Sequence, residues 1–330
     1  MKSFKYLALV VVMLSGVVLA GCAPKATPTP APKKLKAALV HYGVFTDKSW
    51  GQAAYEGFMR AVKEYGLEYA TSEMVPQTEW EAQFRDYAAK GYDLVVGTDS
   101  AMDDTAKVVA PQYPKTFFVI DSGQWTNDKN VAGIAIAEWQ EGYLGGAIMA
   151  RLTKTKKIAF LGGTDHPVIV QVETGMRAVA EQVDPSIEVK GSYVGSWTDV
   201  QKARELASAL IDAGVDVIMP KADAGSVAAI GVAAERGILA VGCTGDMTSV
   251  SPEHVVASAR ARNDEAVYRA VKLFAQGKIE AKVYVMGAAE GVVDLVWNPR
   301  FKDQYPDVVK AAQQVFDDLV SGKIQEPTKK

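Results

Sequence analysis

Two stretches of the chain, "AAKGYDLVVGTD" at residues 88–99 and "DAGVDVIMPKAD" at residues 212–223, decide the fold. Each contains, in order, the end of a helical segment, a glycine, one residue, an aspartate, a short apolar strand and a final aspartate. The next strands, "FFVID" at 117–121 and "AVGCT" at 240–244, begin at the same distance from the two glycines. This internal repeat predicts two similar lobes made of β-strands and α-helices.

Short runs rich in β-branched residues alternate with segments of helical period along the whole body of the chain. The segment 199–213 shows the helical period well, with Asp199 placed to cap its start and Gly214 to end it. Such alternation is typical of parallel sheets that are covered by helices on both faces. The predicted fold class is therefore α/β, with two doubly wound parallel-sheet lobes.

Two such lobes that face each other bring the carboxyl ends of both sheets to one cleft, which is where open α/β sheets bind ligands. Seven strand-to-helix loops are therefore candidates for the site. They are residues 42–50, 98–103, 121–125, 162–167, 195–199, 221–225 and 243–248.

Composition and charge exclude some classes of protein. The chain has 330 residues, 36 basic and 39 acidic side chains and 48% hydrophobic residues, which suits a globular protein of about two domains. No basic run marks a nucleic-acid binder. Catalytic signatures such as a P-loop or a G-x-S-x-G elbow are absent from the sequence. We therefore expect neither an enzyme nor a protein with a cofactor.

The three histidines also argue against a metal site. His41, His166 and His254 are far apart in the sequence, and no pair has helical spacing. They are expected to be loop or surface residues.

The amino terminus has the features of an export signal. Residues 1–21 combine early lysines, an apolar run and small residues, which predicts a signal peptide. The four residues "LAGC" at 19–22 resemble the lipobox of bacterial lipoproteins. That resemblance implies a lipid anchor on Cys22, whereas the alternative is an ordinary secretory signal. Residues 22–34 are rich in proline and predict an extended tether. With Cys22 lipidated, Cys243 would be the only thiol left, so no disulfide is expected.

Aromatic side chains in the candidate loops favour a planar ligand. Trp50, Trp125 and Trp197 lie at predicted junctions between loops and helices. An aromatic ring that faces a cleft can stack on a flat ligand, which contributes about 1–3 kcal/mol per base in nucleic-acid complexes. The alternative is that each ring only anchors its loop.

Carboxylates accompany these aromatics. Asp47, Asp121, Asp223 and Asp246 each follow or end an apolar strand. A carboxylate accepts hydrogen bonds from ring N–H, amino and hydroxyl groups of a ligand. Capping of a helix amino terminus is the alternative role for the same side chain at this place.

Three longer motifs resemble one family. "FTDKSWGQAAYEGF" at 45–58, "EWQEGYLGGAIMARLTKTKKIAFLGG" at 138–163 and "GSWTDVQKARELASALIDAGVDVI" at 195–218 are similar to motifs of the basic-membrane-protein (PnrA-like) lipoproteins. These lipoproteins are the substrate-binding subunits of ABC importers for purine nucleosides and related compounds.

The resemblance implies a type I periplasmic-binding-protein fold, whose two lobes are joined by a three-segment hinge and close on the ligand. The amino-terminal lobe would contain residues 35–137 plus 258–284, and the carboxy-terminal lobe residues 138–257 plus 285–330. It also implies a monomer outside the cytoplasm that is held on the membrane through Cys22 and works with an ABC permease and an ATPase.

The resemblance further implies a set of ligand-binding residues. Asp47 would bind the purine edge, Trp50 would replace the family's stacking phenylalanine, and Trp197 would stack from the other lobe. Together with the loop residues considered above, the candidate ligand-binding set is Phe45, Asp47, Trp50, Asp121, Trp197, Asp223, Thr244 and Asp246.

Departures from the family pattern affect the ligand. Thr244 replaces an aspartate that binds ribose hydroxyls, and Gly51 replaces an asparagine. A lysine of the pattern is also missing, and Arg260 or Arg262 is the candidate substitute. The "GSW" and "TKTKK" motifs instead resemble members that bind free bases. The ligand is thus expected to be a purine nucleoside or a purine base. The alternatives are a sugar or signal molecule, a tethered sensor or adhesin, and an exported hydrolase.

Overall fold

A computed structural model of the protein describes residues 34–46 and 50–328. The predicted signal peptide, Cys22, Asp47 and most of the predicted tether lie outside these residues. The strands are β1 (Lys36–Val40), β2 (Glu68–Ser72), β3 (Leu94–Gly97), β4 (Phe117–Asp121), β5 (Val131–Ile136), β6 (Lys157–Gly162), β7 (Glu188–Tyr193), β8 (Val217–Lys221), β9 (Leu239–Thr244), β10 (Val255–Ala261), β11 (Val283–Met286) and β12 (Val293–Trp297). The α-helices are α1 (Trp50–Tyr65), α2 (Trp80–Ala89), α3 (Met102–Val109), α4 (Glu138–Leu152), α5 (Pro167–Val183), α6 (Val200–Asp212), α7 (Ala224–Glu235), α8 (Asn263–Ala275), α9 (Pro299–Gln304) and α10 (Pro306–Val320).

The strands form two six-stranded sheets with equivalent strand orders. The first sheet runs β11-β5-β4-β3-β1-β2 and the second runs β12-β10-β9-β8-β6-β7. Neighbouring strands are parallel, except that β12 is antiparallel to β10. The expected α/β fold of two parallel-sheet lobes is confirmed, and the two segments of the repeat lead into the equivalent strands β3 and β8.

Local sequence explains why these elements form. The strands β3, β4 and β5 are almost wholly buried, as strands of a parallel sheet are when helices cover both faces. Helix α6 begins where expected, because the Asp199 side chain accepts a hydrogen bond from the Lys202 backbone amide at 2.9 Å. It ends before Gly214, whose φ of 92° suits glycine. Within the described residues, no helix combines the length and apolarity needed to cross a membrane.

The chain crosses between the two sheets three times. It crosses after β5, after β10 and between β11 and β12. Residue 137, the first expected lobe boundary, lies between β5 and α4, whereas the expected boundaries at 258 and 284 fall inside β10 and β11. The division of the chain into lobes at these residues stays a prediction.

Helices α4 and α5 pack backbone against backbone in the second lobe. A Cβ atom on Gly142 would overlap the carbonyl oxygen of Val172, and one on Gly175 would overlap that of Trp139. Only glycine allows this approach. The close contact fixes the position of the first turn of α4, which begins at Glu138 directly after the first crossing.

We expect Gly142→Ala to lower the free energy of unfolding by about 1–3 kcal/mol or more, because the new methyl group has no room. Gly231→Ala is the matched control, since its Cβ would meet only the Arg204 side chain at 3.7 Å. That substitution, inside α7, should stabilise the protein by about 0.4–1 kcal/mol. Urea unfolding of both variants measures the difference, and equal stabilities would contradict the close packing of α4 on α5.

Candidate ligand-binding cleft

A cavity of about 230 Å³ lies between the two lobes, at the carboxyl ends of both sheets. This volume is smaller than the roughly 300–1,000 Å³ of pockets for drug-sized ligands. The first lobe contributes Tyr42, Trp50, Thr98, Asp99, Ser100, Ala101 and Ser122 to its lining. The second lobe contributes Glu138, Thr164, His166, Val168, Ile169, Trp197, Lys221, Asp223 and Thr244.

Each of the seven candidate loops supplies at least one of these lining residues. The topology explains this, since both sheets direct the carboxyl ends of their strands to the same cleft. Three lining residues lie outside the candidate loops: Glu138 begins α4, and Val168 and Ile169 are in the first turn of α5.

Two tryptophans reach the cavity from different lobes. Trp50 begins α1, and its indole N–H donates a hydrogen bond to the Thr98 carbonyl oxygen at 3.2 Å. Trp197 follows β7, and its ring lies so close to Gly163 that a Cβ there would overlap it. Both rings are therefore held in place by backbone groups. Trp125 is not part of the lining, and it packs instead on the core of the first lobe.

Backbone strain is concentrated at the cavity. In the described chain six residues other than glycine have a positive φ, and three of them line the cavity, namely Ser122 (61°), Asp223 (45°) and Thr244 (68°). Such conformations cost roughly 1–3 kcal/mol each and are typical of functional sites. Asp223 and Thr244 were both predicted to belong to the site, and both are part of its lining.

Three of the predicted site residues that the structure describes do not line the cavity, and two of them, Phe45 and Asp246, contact nearby residues of the chain instead. Phe45 stacks on His41 and Tyr55, with ring centroids 5.5 and 4.7 Å apart. Asp246 is exposed and accepts hydrogen bonds from the backbone amide and hydroxyl of Thr248. Both side chains stabilise their own loops, which sequence position alone could not distinguish from ligand contact.

Asp121, at the end of β4, also does not line the cavity, because its side chain is fully buried. Burial raises the pKa of its carboxyl group from 3.8 to about 7. The Asn263 side chain and the Ser122 backbone amide lie near enough to oppose this shift. Neither carboxylate oxygen, however, has a hydrogen bond of ordinary geometry within the described residues.

A buried charged group that the sequence did not reveal lies at the second lobe's wall. The Lys221 ammonium group, at the end of β8, pairs with the carboxylates of Glu138 and Glu141 from the first turn of α4. Glu141 also accepts a hydrogen bond from the Thr244 backbone amide. We call Lys221, Glu138 and Glu141 the buried charge cluster. Glu138 and Lys221 line the cavity, whereas Glu141 does not.

The protonation of this cluster follows from burial. Burial raises the pKa of Glu138 to about 8, which Lys221 opposes and Glu141 reinforces. Burial alone would lower the pKa of Lys221, but the two glutamates outweigh it and raise that pKa. The lysine therefore stays charged at neutral pH, while burial favours the protonated form of Glu138.

The remaining basic and metal-binding candidates lie elsewhere. Arg260 pairs with Asp294, and Arg262 pairs with Asp264 and Asp294. Neither arginine lines the cavity. His41 lies in the loop directly after β1, and it is fully buried there, with Nδ1 2.6 Å from the Thr98 hydroxyl. Over the described ranges, no cluster of three or more histidine, cysteine, aspartate or glutamate residues could hold a metal ion.

Comparisons with known proteins agree with this architecture. A family model described as ABC transporter substrate-binding protein PnrA-like matches residues 34–329. The chain is 34% identical over 217 residues to an ABC transporter nucleoside-binding protein of Lactococcus lactis, which covers 63% of this chain and 62% of that protein. It is 27% identical over 319 residues to a purine-binding protein of Brucella abortus. That alignment covers 96% of this chain and 88% of the Brucella protein.

Solved structures share the fold. A crystal structure of an ABC transporter solute-binding protein from Aeropyrum pernix superposes with a TM-score of 0.76 at 20% identity. The match covers 89% of this chain and 94% of that one. At this identity the similarity establishes the fold alone.

The raised pKa of Asp121 predicts a pH-dependent stability. Between about pH 4 and 7 the folded protein holds a proton that the unfolded chain releases, so stability falls as pH rises, by at most about 1.4 kcal/mol per unit. Asp121→Asn removes this loss, and we expect the variant to be more stable than the wild type at pH 8 but not at pH 4.

Urea unfolding at the two pH values measures the effect. Asp246→Asn removes an equal charge from an exposed site and is the matched control. An Asp121→Asn variant that tracks the wild type at both pH values would show that the burial of this carboxyl group has no such cost.

Proposed function

Because this chain belongs to the PnrA-like family of ABC transporter substrate-binding proteins, we propose that it captures a purine base or a purine nucleoside between its lobes. Proteins of this family are not enzymes. They bind small ligands outside the cytoplasm and work with a permease and an ATPase. The nucleoside-binding and purine-binding relatives support the choice of ligand.

The observation that carries the proposal is that Trp50 and Trp197, from different lobes, line the same cavity. Each indole can contribute stacking energy to a flat ring, and a ligand that contacts both lobes favours their closed arrangement. The three crossings between the sheets would serve as the hinge for this closure.

The cavity is better equipped for the base than for a sugar. Thr244 stands where the family pattern has a ribose-binding aspartate, and the remaining carboxylate of that pattern, Asp246, is exposed and bonded to Thr248. The volume of about 230 Å³ also favours a small ligand. We therefore place the free base ahead of the nucleoside.

Membrane attachment is a second part of the proposal. Cys22 would carry the lipid, and the proline-rich residues 23–34 would separate the folded lobes from the membrane. We expect Cys22→Ser to move the protein from the membrane fraction to the soluble extracytoplasmic fraction. Unchanged fractionation of the variant would contradict an anchor at this cysteine.

Removing either indole tests the proposed site. We expect Trp50→Ala and Trp197→Ala each to weaken purine binding by about 5- to 150-fold, because about 1–3 kcal/mol of stacking is lost. Calorimetry with adenine, hypoxanthine, guanine and their nucleosides gives the affinities. Trp125→Ala, outside the cavity, is the matched control and should bind like the wild type. If none of these compounds binds to the wild type, the purine proposal is wrong.

A further inference from the structure

We infer that Glu138 and Lys221 together recognise the hydrogen-bonding edge of the bound ring, and that this edge carries a donor next to an acceptor. The amino–imine edge of adenine and the lactam edge of hypoxanthine have this arrangement. The inference rests on the proposed function, since it assumes a flat heterocycle in the cavity.

The position of the two side chains supports this role. Glu138 and Lys221 are 1% and 6% exposed, yet both line the cavity. An ammonium group has three donors, and Lys221 directs two of them to Glu138 and Glu141. One donor remains. A carboxylate can accept several hydrogen bonds, so Glu138 can keep Lys221 and still accept one from a ring.

The difference between the two glutamates shows which one is available to a ligand. Glu141 is completely buried, does not line the cavity, and accepts hydrogen bonds from Lys221 and from the Thr244 backbone amide. One carboxylate is enough to balance the charge of Lys221. Glu138 is a surplus carboxyl group at the cavity wall, and an ionised carboxylate there without further partners is costly. A ring donor would supply the missing partner.

Binding should therefore be linked to proton release. The empty protein holds a proton on Glu138 near neutral pH, since burial raises its pKa to about 8. A ring N–H or amino group that donates to Glu138 stabilises the carboxylate and lowers this pKa, so the proton leaves. Affinity then rises with pH up to about 8, by at most about tenfold per unit.

Other ionisable groups face the same space. Lys221 on β8, Glu141 on α4 and Cys243 on β9 surround the Glu138 carboxyl group. Burial raises the pKa of the Cys243 thiol, which stays neutral. Asp99, His166 and Asp223 lie elsewhere on the cavity wall. Asp121, whose pKa is also near 7, is buried outside it. Variants at Glu138 distinguish proton release by Glu138 from proton release by these other groups.

The experiment is calorimetry on the full chain from pH 6 to 8, in pairs of buffers that differ in ionisation enthalpy. The probes are adenine, hypoxanthine and guanine, each as free base and nucleoside. For the tightest probe, we expect the wild type to release up to one proton at pH 7 and to bind more tightly as pH rises. Binding without proton release, or affinity that falls above pH 7, would overturn the inference without any variant.

Two isosteric variants give opposite results if the inference is right. Glu138→Gln should weaken binding at least tenfold and abolish the Glu138 contribution to proton release. Glu141→Gln is the matched control, since it removes the carboxylate that does not face the cavity. Lys221 then pairs with Glu138 alone and lowers its pKa, so affinity at pH 7 should rise by up to about tenfold and no longer depend on pH.

The outcomes separate the two proposals. If the wild type binds a purine and Glu138→Gln binds it equally tightly with the same proton release, only the present inference fails. If the wild type binds none of the probes, the proposed function fails, and this inference fails with it.

Discussion

The hydrogen-bonded contacts of the Lys221 ammonium group with two glutamates of α4 hold the second lobe's half of the cleft together. They connect the first turn of α4 to β8, and the Thr244 amide extends the connection to β9. Removing one partner of such a buried pair typically costs about 3–5 kcal/mol, because a charge is left without compensation. The glycine contact between α4 and α5 keeps the glutamates in position. Glu138 and Lys221 also form part of the cavity wall, so the atoms that stabilise this lobe are the ones that a ligand in the cavity would meet.

The two lobes provide different chemistry on a shared topology. The first lobe presents an indole held by a backbone carbonyl, together with the loop that follows β3. The second presents an indole, the buried charge cluster and two residues with strained backbone. Equivalent strand orders explain why the two walls face each other. The buried charged residues that line the cavity, Glu138 and Lys221, both lie on the second lobe.

The sequence was sufficient to predict the fold and the position of the cleft, because both depend on strand and helix periods and on the carboxyl ends of strands. It was not sufficient for individual contacts. Asp121 and Asp246 follow strands in the same way as Asp223, yet only Asp223 lines the cavity. Lys221 and Glu138 were missed as site residues because charged side chains are rarely buried. Lys221 is in β8 and Glu138 is in α4, and no local sequence pattern reveals that these two side chains pair.

The three crossings also affect when each lobe can fold. The first lobe lacks α8 and β11 until the chain is available for folding as far as Met286, and the second lobe lacks β12 until the chain is available as far as Trp297. An amino-terminal fragment that ends before β11 therefore completes neither sheet. An exported chain must therefore stay unfinished until nearly all of it has crossed the membrane, and both lobes then acquire their last strands almost together. Such late, long-range pairing is slow and leaves strand edges exposed in the meantime.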